Sequence, residues 1–160
     1  MTVLIIAAVV ILVIIVGMKQ FGDTKKLAED GKIIQRDGQF FQEKEIFKTD
    51  ATYEEIRKTI AEIDFSDAKA AVTPDFEGAR IITFQSADRW LAVLEARGEK
   101  EGKNIFEFYF HSWRTGRYGV VNTVSMNALV TAIERIMLSL DPAVTVESHK
   151  MQIKSKAKFF

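Results

Sequence analysis

The chain has 160 residues, 48% apolar and 28% charged, with twelve Phe; this suits one globular domain of ordinary size plus an appendage and excludes a disordered polymer. Cysteine is absent, which excludes disulfides, thiol catalysis, thiolate metal sites and a lipidated cysteine. Twenty-two basic residues balance 22 acidic ones, so there is no global positive field of the kind that drives nonspecific nucleic-acid binding.

The charge is unevenly placed. Residues 39–142 carry 13 Lys and Arg against 17 Asp and Glu, residues 19–36 carry five against three, and residues 143–160 carry four against one. An acidic body with two basic ends suits a domain held off an anionic membrane whose ends lie near it, at about 1 kcal/mol per Lys or Arg close to the surface.

From Val3 to Val16 every residue is Val, Leu, Ile or Ala, and no charged side chain precedes Lys19. The twelve Val, Leu and Ile of this run favour bilayer insertion by on the order of 4 to 7 kcal/mol. As a helix the segment spans roughly 26 Å, slightly less than the ~30 Å hydrocarbon core, with Lys19 placed to snorkel. A cleaved signal peptide would need a basic start and a small-x-small cleavage site, and neither occurs. A core strand or surface helix would be shorter or would keep a polar face. The expectation is an uncleaved single-pass anchor at residues 3–18. Lys19, Lys25 and Lys26 follow it, so the positive-inside rule predicts that the remainder faces the cytoplasm.

Residues 19–31 read as a juxtamembrane linker, and a soluble domain is expected over 32–160. Asp37-Gly38 between Lys32–Arg36 and Gln39–Phe41 predicts a type I′ hairpin. A strand is expected from Phe40 to Thr49. Thr52-Tyr53-Glu54-Glu55 has the form of a capping box, and Tyr53, Ile56, Ile60 and Ile63 recur at helical spacing, which predicts an amphipathic helix ending near Asp64–Ser66. Four strand-like runs follow at Ala68–Thr73, Ala79–Ser86, Arg89–Arg97 and Asn104–Trp113, with short Gly-, Pro- or Asp-bearing breaks that imply an antiparallel meander. A second helix is predicted from Thr123 to Leu140, with Met126, Leu129, Val130, Ile133, Ile136, Met137 and Leu140 as its apolar stripe and Asp141-Pro142 as its stop. Val144, Val146, Met151 and Ile153 suggest a last strand. The expected fold class is α+β, a mainly antiparallel sheet with two amphipathic helices packed on one face.

The most unusual run of the soluble part is Ile105 to Trp113. As a regular strand it places Phe106, Phe108 and Phe110 toward the core and Glu107, Tyr109, His111 and Trp113 together on the opposite face, a candidate ligand surface. An ordinary mixed solvent face with cross-strand aromatic pairs is the plainer reading of the same residues. Base stacking on exposed rings beside Arg114 and Arg117 is disfavoured by the acidic middle, so no nucleic-acid partner is expected. The chain has no phosphate-cradling glycine loop, no H-E-x-x-H and no G-x-S-x-G, and no catalytic residue or cofactor is predicted. His111 and His149 stand alone in the sequence. Asp64, Asp67 and Asp75 are ordinary loop acids around a helix end, so no metal site is predicted.

The tail offers Lys150, Lys154, Lys156 and Lys158 followed by Phe159 and Phe160. With Lys19 these form a candidate membrane-surface set, in which the rings enter the interface and the amines meet anionic lipid. The function expected from the sequence is a membrane-tethered, non-enzymatic interaction module with the bilayer and an unidentified protein as partners. The alternative is a membrane-anchored small-ligand sensor or enzyme that uses the Glu107, Tyr109, His111 and Trp113 face.

Overall fold

The computed structural model describes residues 28–29, 31, 33–34, 36–73, 78–87, 89–117 and 119–151. The chain divides into two compact units, Met1–Gln35 and Arg36–Phe160, and the architecture below is that of the second. The predicted anchor at 3–18, Lys19, and Lys154, Lys156, Lys158, Phe159 and Phe160 of the tail lie outside the described residues.

Asp37-Gly38 does not turn a hairpin. Asp37 Oδ1 accepts from Gln39 N at 2.7 Å, and the chain continues into a 3-10 turn, Phe40–Gln42. Gly38 is not among the glycines with positive φ, which a type I′ turn would require. Phe40 and Phe41 are instead drawn into aromatic contacts with Phe110 and Trp113, at ring-centroid distances of 6.3 and 5.2 Å.

Strand β1, Glu43–Thr49, leads to helix α1, Tyr53–Glu62. The capping box forms as the sequence predicts: Thr52 Oγ1 accepts from Glu55 N at 3.3 Å, and Glu55 Oε2 accepts from Thr52 N at 2.7 Å. Thr52→Ala should therefore cost about 1 kcal/mol of stability. Urea denaturation of the purified variant measures this, and an unchanged midpoint would mean that the first turn of α1 is held from elsewhere.

Past α1 the expected strand at Ala68–Thr73 is shortened. Asp64 Oδ1 accepts from Ser66 N at 2.9 Å, and Lys69 takes a positive φ of 52°, which folds residues 64–69 into turns and leaves only β2, Ala71–Thr73. Then come β3, Ile81–Ser86, β4, Trp90–Lys100, and β5, Lys103–Trp113. The loop expected at 98–103 is reduced to Glu101-Gly102, whose φ angles of 57° and 77° suit the two central residues of a type I′ turn. The hairpin geometry foreseen at Asp37-Gly38 thus occurs here. A two-stranded ladder of β6, Thr115–Gly116, and β7, Gly119–Val120, precedes helix α2, Thr123–Leu140, and the last strand is β8, Thr145–Lys150.

The six long-range strands form one antiparallel sheet of order β2-β3-β4-β5-β1-β8, so the fold is α+β. Cross-strand partners share a face. Phe47 opposite Phe106, Leu94 opposite Phe108, Ala92 opposite Phe110 and Ile82 opposite Leu94 line the inner face, and all are buried. Helix α2 closes that face with Met126, Leu129, Val130, Ile133, Ile136 and Met137. Trp90 Nε1 donates to Ser125 Oγ at 3.0 Å, and Asp141, just past the helix, accepts from Thr49 Oγ1 at 2.9 Å and Asp50 N at 2.8 Å. By length and hydropathy α2 would also pass for a membrane span, but these buried contacts make it the core helix of the domain. Helix α1 lies alongside α2, and Phe65 beyond its end meets Phe84 on the inner face at 5.4 Å.

Candidate functional site

The outer face of the sheet is built from residues alternate to that core. Lys44 lies opposite both Tyr109 and His149, Ile46 opposite both Glu107 and Glu147, Tyr109 opposite Val93, and Glu107 opposite Glu95. Most of these side chains are half-buried by their neighbours, and helix α2 engages the other side of the sheet, where Trp90 Nε1 donates to Ser125 Oγ. Ile46, Leu91, Val93, Ile105 and Tyr109 give the face an apolar ground, across which charges are arranged.

Glu107 is the hub of those charges. One carboxylate oxygen accepts from Lys44 Nζ at 2.8 Å and the other from Arg97 Nε at 2.7 Å, while Arg97 Nη1 reaches Glu95 Oε1 at 2.8 Å. Arg97 can reach both acids because a bulge falls between Ala96 and Gly98, with Gly98 at a φ of 103°, leaving Arg97 as the extra residue of β4. Burial opposes the charge on Glu107, yet the hydrogen bonds from Lys44 and Arg97 outweigh it and hold the carboxyl below its ordinary range. Burial and the nearby Glu95 carboxylate hold the Tyr109 phenol above its ordinary range. At neutral pH the face therefore presents an ionised, doubly paired carboxylate and a protonated phenol. Such groups recognise by charge and hydrogen bonding, and neither is poised to exchange a proton near pH 7.

A shallow, open concavity of about 580 Å³ occupies this face, lined by Lys44, Ile46, Arg97, Glu107, Tyr109, His149, Lys150 and Met151. Of the four residues that the sequence grouped as a site, the structure brings Glu107 and Tyr109 together here. His111 and Trp113 are elsewhere. Ala92 pairs with Phe110 but Leu91 pairs with Ser112, so β5 carries one residue more than β4 at this point and His111 is the bulged residue, exposed. Because side chains alternate along a strand, the extra residue reverses the faces beyond it. Trp113 accordingly falls opposite the buried Trp90 and against Phe41 on the inner face. His149, which the sequence left alone, is carried into the concavity by the pairing of β8 with β1. Lys150, proposed for the membrane surface, lines the same concavity.

One charged cluster sits on the other side of β1, and no local motif in the sequence announces it. Arg36 donates from Nε to Asn127 Oδ1 at 3.0 Å, from Nη1 to Glu45 Oε1 at 3.4 Å, and from Nη2 to Glu134 Oε2. Glu45 occupies an inner-face position in phase with Phe47, and that misplaced charge is the signal a sequence reader could have used. Among the described residues no group of three His, Cys, Asp or Glu is arranged to hold a metal ion.

Comparison with known proteins finds no matching family model and no matching curated protein.

Proposed function

We propose that this protein is a membrane-tethered, non-enzymatic binding module, with residues 3–18 as its bilayer anchor and the outer face of the sheet as its recognition surface. The observation that carries the reading is the unequal treatment of the two sheet faces: helix α2 covers the inner one, and the outer one keeps an apolar ground crossed by the chain Glu95, Arg97, Glu107, Lys44. Interfaces combine apolar contact with charges that set orientation and partner choice, and this face has both. The tether is supported by the uninterrupted apolar run ending at Lys19, and it would raise the local concentration of the module at the bilayer without adding any contact. The basic residues after the run support a cytoplasmic domain. Lys150, Lys154, Lys156, Lys158, Phe159 and Phe160 would then lie within reach of the anionic leaflet.

A photoreactive phenylalanine analogue placed at Tyr109 in the full chain tests the surface in intact cells, with the same group at Lys58 on the exposed side of α1 as the control. The expected result is a discrete adduct at position 109 that Arg97→Glu abolishes, with none at position 58. Equal adducts at both positions, or an adduct indifferent to Arg97→Glu, would sink the reading. A second reading, a small-ligand sensor on the same face, is favoured by the concavity, in which an acidic ligand would compete with Glu107 for Arg97 and Lys44. No protein adduct at position 109, together with binding of a small acidic ligand to the purified chain that Arg97→Glu abolishes, would favour it.

A further inference from the structure

Strand β8 is one edge of the sheet. It pairs with β1 on one side and with no described residue on the other, and all 6 of its residues are exposed. Edge strands are guarded by a proline, a bulge, brevity or charge; β8 has no proline and no bulge, and its guard is the charge of Glu147 and Lys150. The phase of its free backbone groups follows from one bond. Met151 N donates to Gln42 O at 2.9 Å, so Gln42↔Met151, one step beyond Glu43↔Lys150 in the same register, is a hydrogen-bonded pair. Hydrogen-bonded pairs recur at every second residue of an antiparallel ladder. Thr145, Glu147 and His149 therefore direct their backbone groups at β1, while Val146, Ser148 and Lys150 present theirs at the open edge.

We propose that β8 is a homodimerisation strand, joining a second copy of this chain antiparallel about a two-fold axis through Ser148 so that the sheet continues across both copies. Only registers that face one copy's Val146, Ser148 and Lys150 with the same set of the other satisfy the edge. Among these, an axis through Glu147 sets two Glu147 carboxylates directly opposite each other, and axes through Val146 or His149 pair only short stretches of the strand. The axis through Ser148 pairs all of Val146–Lys150. It sets Glu147 opposite His149 of the second copy, twice, in the non-hydrogen-bonded positions where side chains come closest. It also lays the aliphatic stem of Lys150 of each copy over Val146 of the other, which is 44% exposed in the single chain. Glu147, already beside Lys48 and His149 of its own chain, gains a further cationic neighbour when the imidazole is protonated. The inference depends neither on the membrane anchor nor on the outer-face reading.

The natural absence of cysteine provides the test. In the full chain in detergent, Ser148→Cys under a mild oxidant should form a disulfide dimer at least about tenfold faster than Lys150→Cys, since opposed Cα atoms at the axis lie about 5.5 Å apart, within disulfide reach. The two Lys150 positions, displaced by four residues along the strand, are roughly 14 Å apart. Adding Glu147→Lys should slow the Ser148→Cys cross-link, and adding Glu147→Lys with His149→Glu should restore it. Sedimentation of the unmodified chain at the mass of a dimer is a second reading that needs no variant. Equal cross-linking at 148 and 150, or a Ser148→Cys chain that stays monomeric because another protein's strand or residues 152–160 hold the edge, overturns the proposal.

Discussion

Replacing Glu45 with glutamine stabilises the domain at pH 8 and above. Arg36 is shared, and its closer acidic partner is Glu134, so Glu45 is the surplus carboxylate of the cluster; its Oε2 is buried and accepts no hydrogen bond from a described residue. Burial, together with the charges of Glu134 and Glu43, pushes the carboxyl up to about 8 against the opposing pull of Arg36. The folded domain then keeps a proton that the unfolded chain releases near pH 4.5. Stability contributed by this group is complete below that pH and is lost as the pH rises through about 8, in total on the order of 3–5 kcal/mol. Glutamine matches the neutral acid in shape and does not ionise. Urea midpoints of Glu45→Gln should stay level from pH 6 to 9 while those of the natural protein fall. Parallel decline of the two would show that Glu45 is ionised in the folded state. The acid side is governed by groups of opposite sign: backbone hydrogen bonds from Asp50 and Ala143 hold Asp141 below its ordinary range, so its contribution is lost as the pH falls through that lowered value. Maximal stability should therefore lie near pH 5, between the two limbs.

Phe108→Ala should cost about 3–5 kcal/mol, a large share of the 5–15 kcal/mol that holds a domain together. Phe108 is buried on the central strand between Leu94 and Glu45, with its ring 5.6 Å from Phe110 and 6.4 Å from Phe84. Truncation leaves a cavity in the middle of the inner face, where the closely packed helix α2 relaxes only in part. Tyr109→Ala, one residue away on the outer face, should cost on the order of 1 kcal/mol, because its half-exposed ring has fewer contacts to lose. Urea denaturation at pH 6 compares the two. Similar losses would contradict the assignment of one face to the core and the other to recognition.

What the sequence disclosed was periodicity. The capping box of Thr52 and Glu55, the stripe from Met126 to Met137 and the alternation of Phe106, Phe108 and Phe110 are local patterns, and the structure has the elements they predict. What it concealed were insertions into pattern. One extra residue at His111 moves Trp113 to the inner face, and another at Arg97 lets a single guanidinium bridge Glu95 and Glu107. Bulges leave no periodic trace, because nothing local in Phe110-His111-Ser112 distinguishes a paired residue from an extra one. Asp37-Gly38 misled for a related reason: the dipeptide permits a type I′ turn but does not compel it, and burial of Phe40 and Phe41 decided otherwise. His149 could not be joined to Tyr109 from sequence, since that meeting depends on β8 returning past the whole chain to pair with β1.

The central claim, a recognition domain held at a membrane by residues 3–18, is tested most directly by fractionating cells that express the full chain or a chain beginning at Lys19, each with a C-terminal tag, followed by washing the membranes with alkaline carbonate. The account predicts that the full chain stays in the washed membrane pellet while the shorter chain is soluble. Release of the full chain by carbonate, or its recovery in the soluble fraction, would contradict the tether and leave the outer sheet face to be explained as the surface of a free domain.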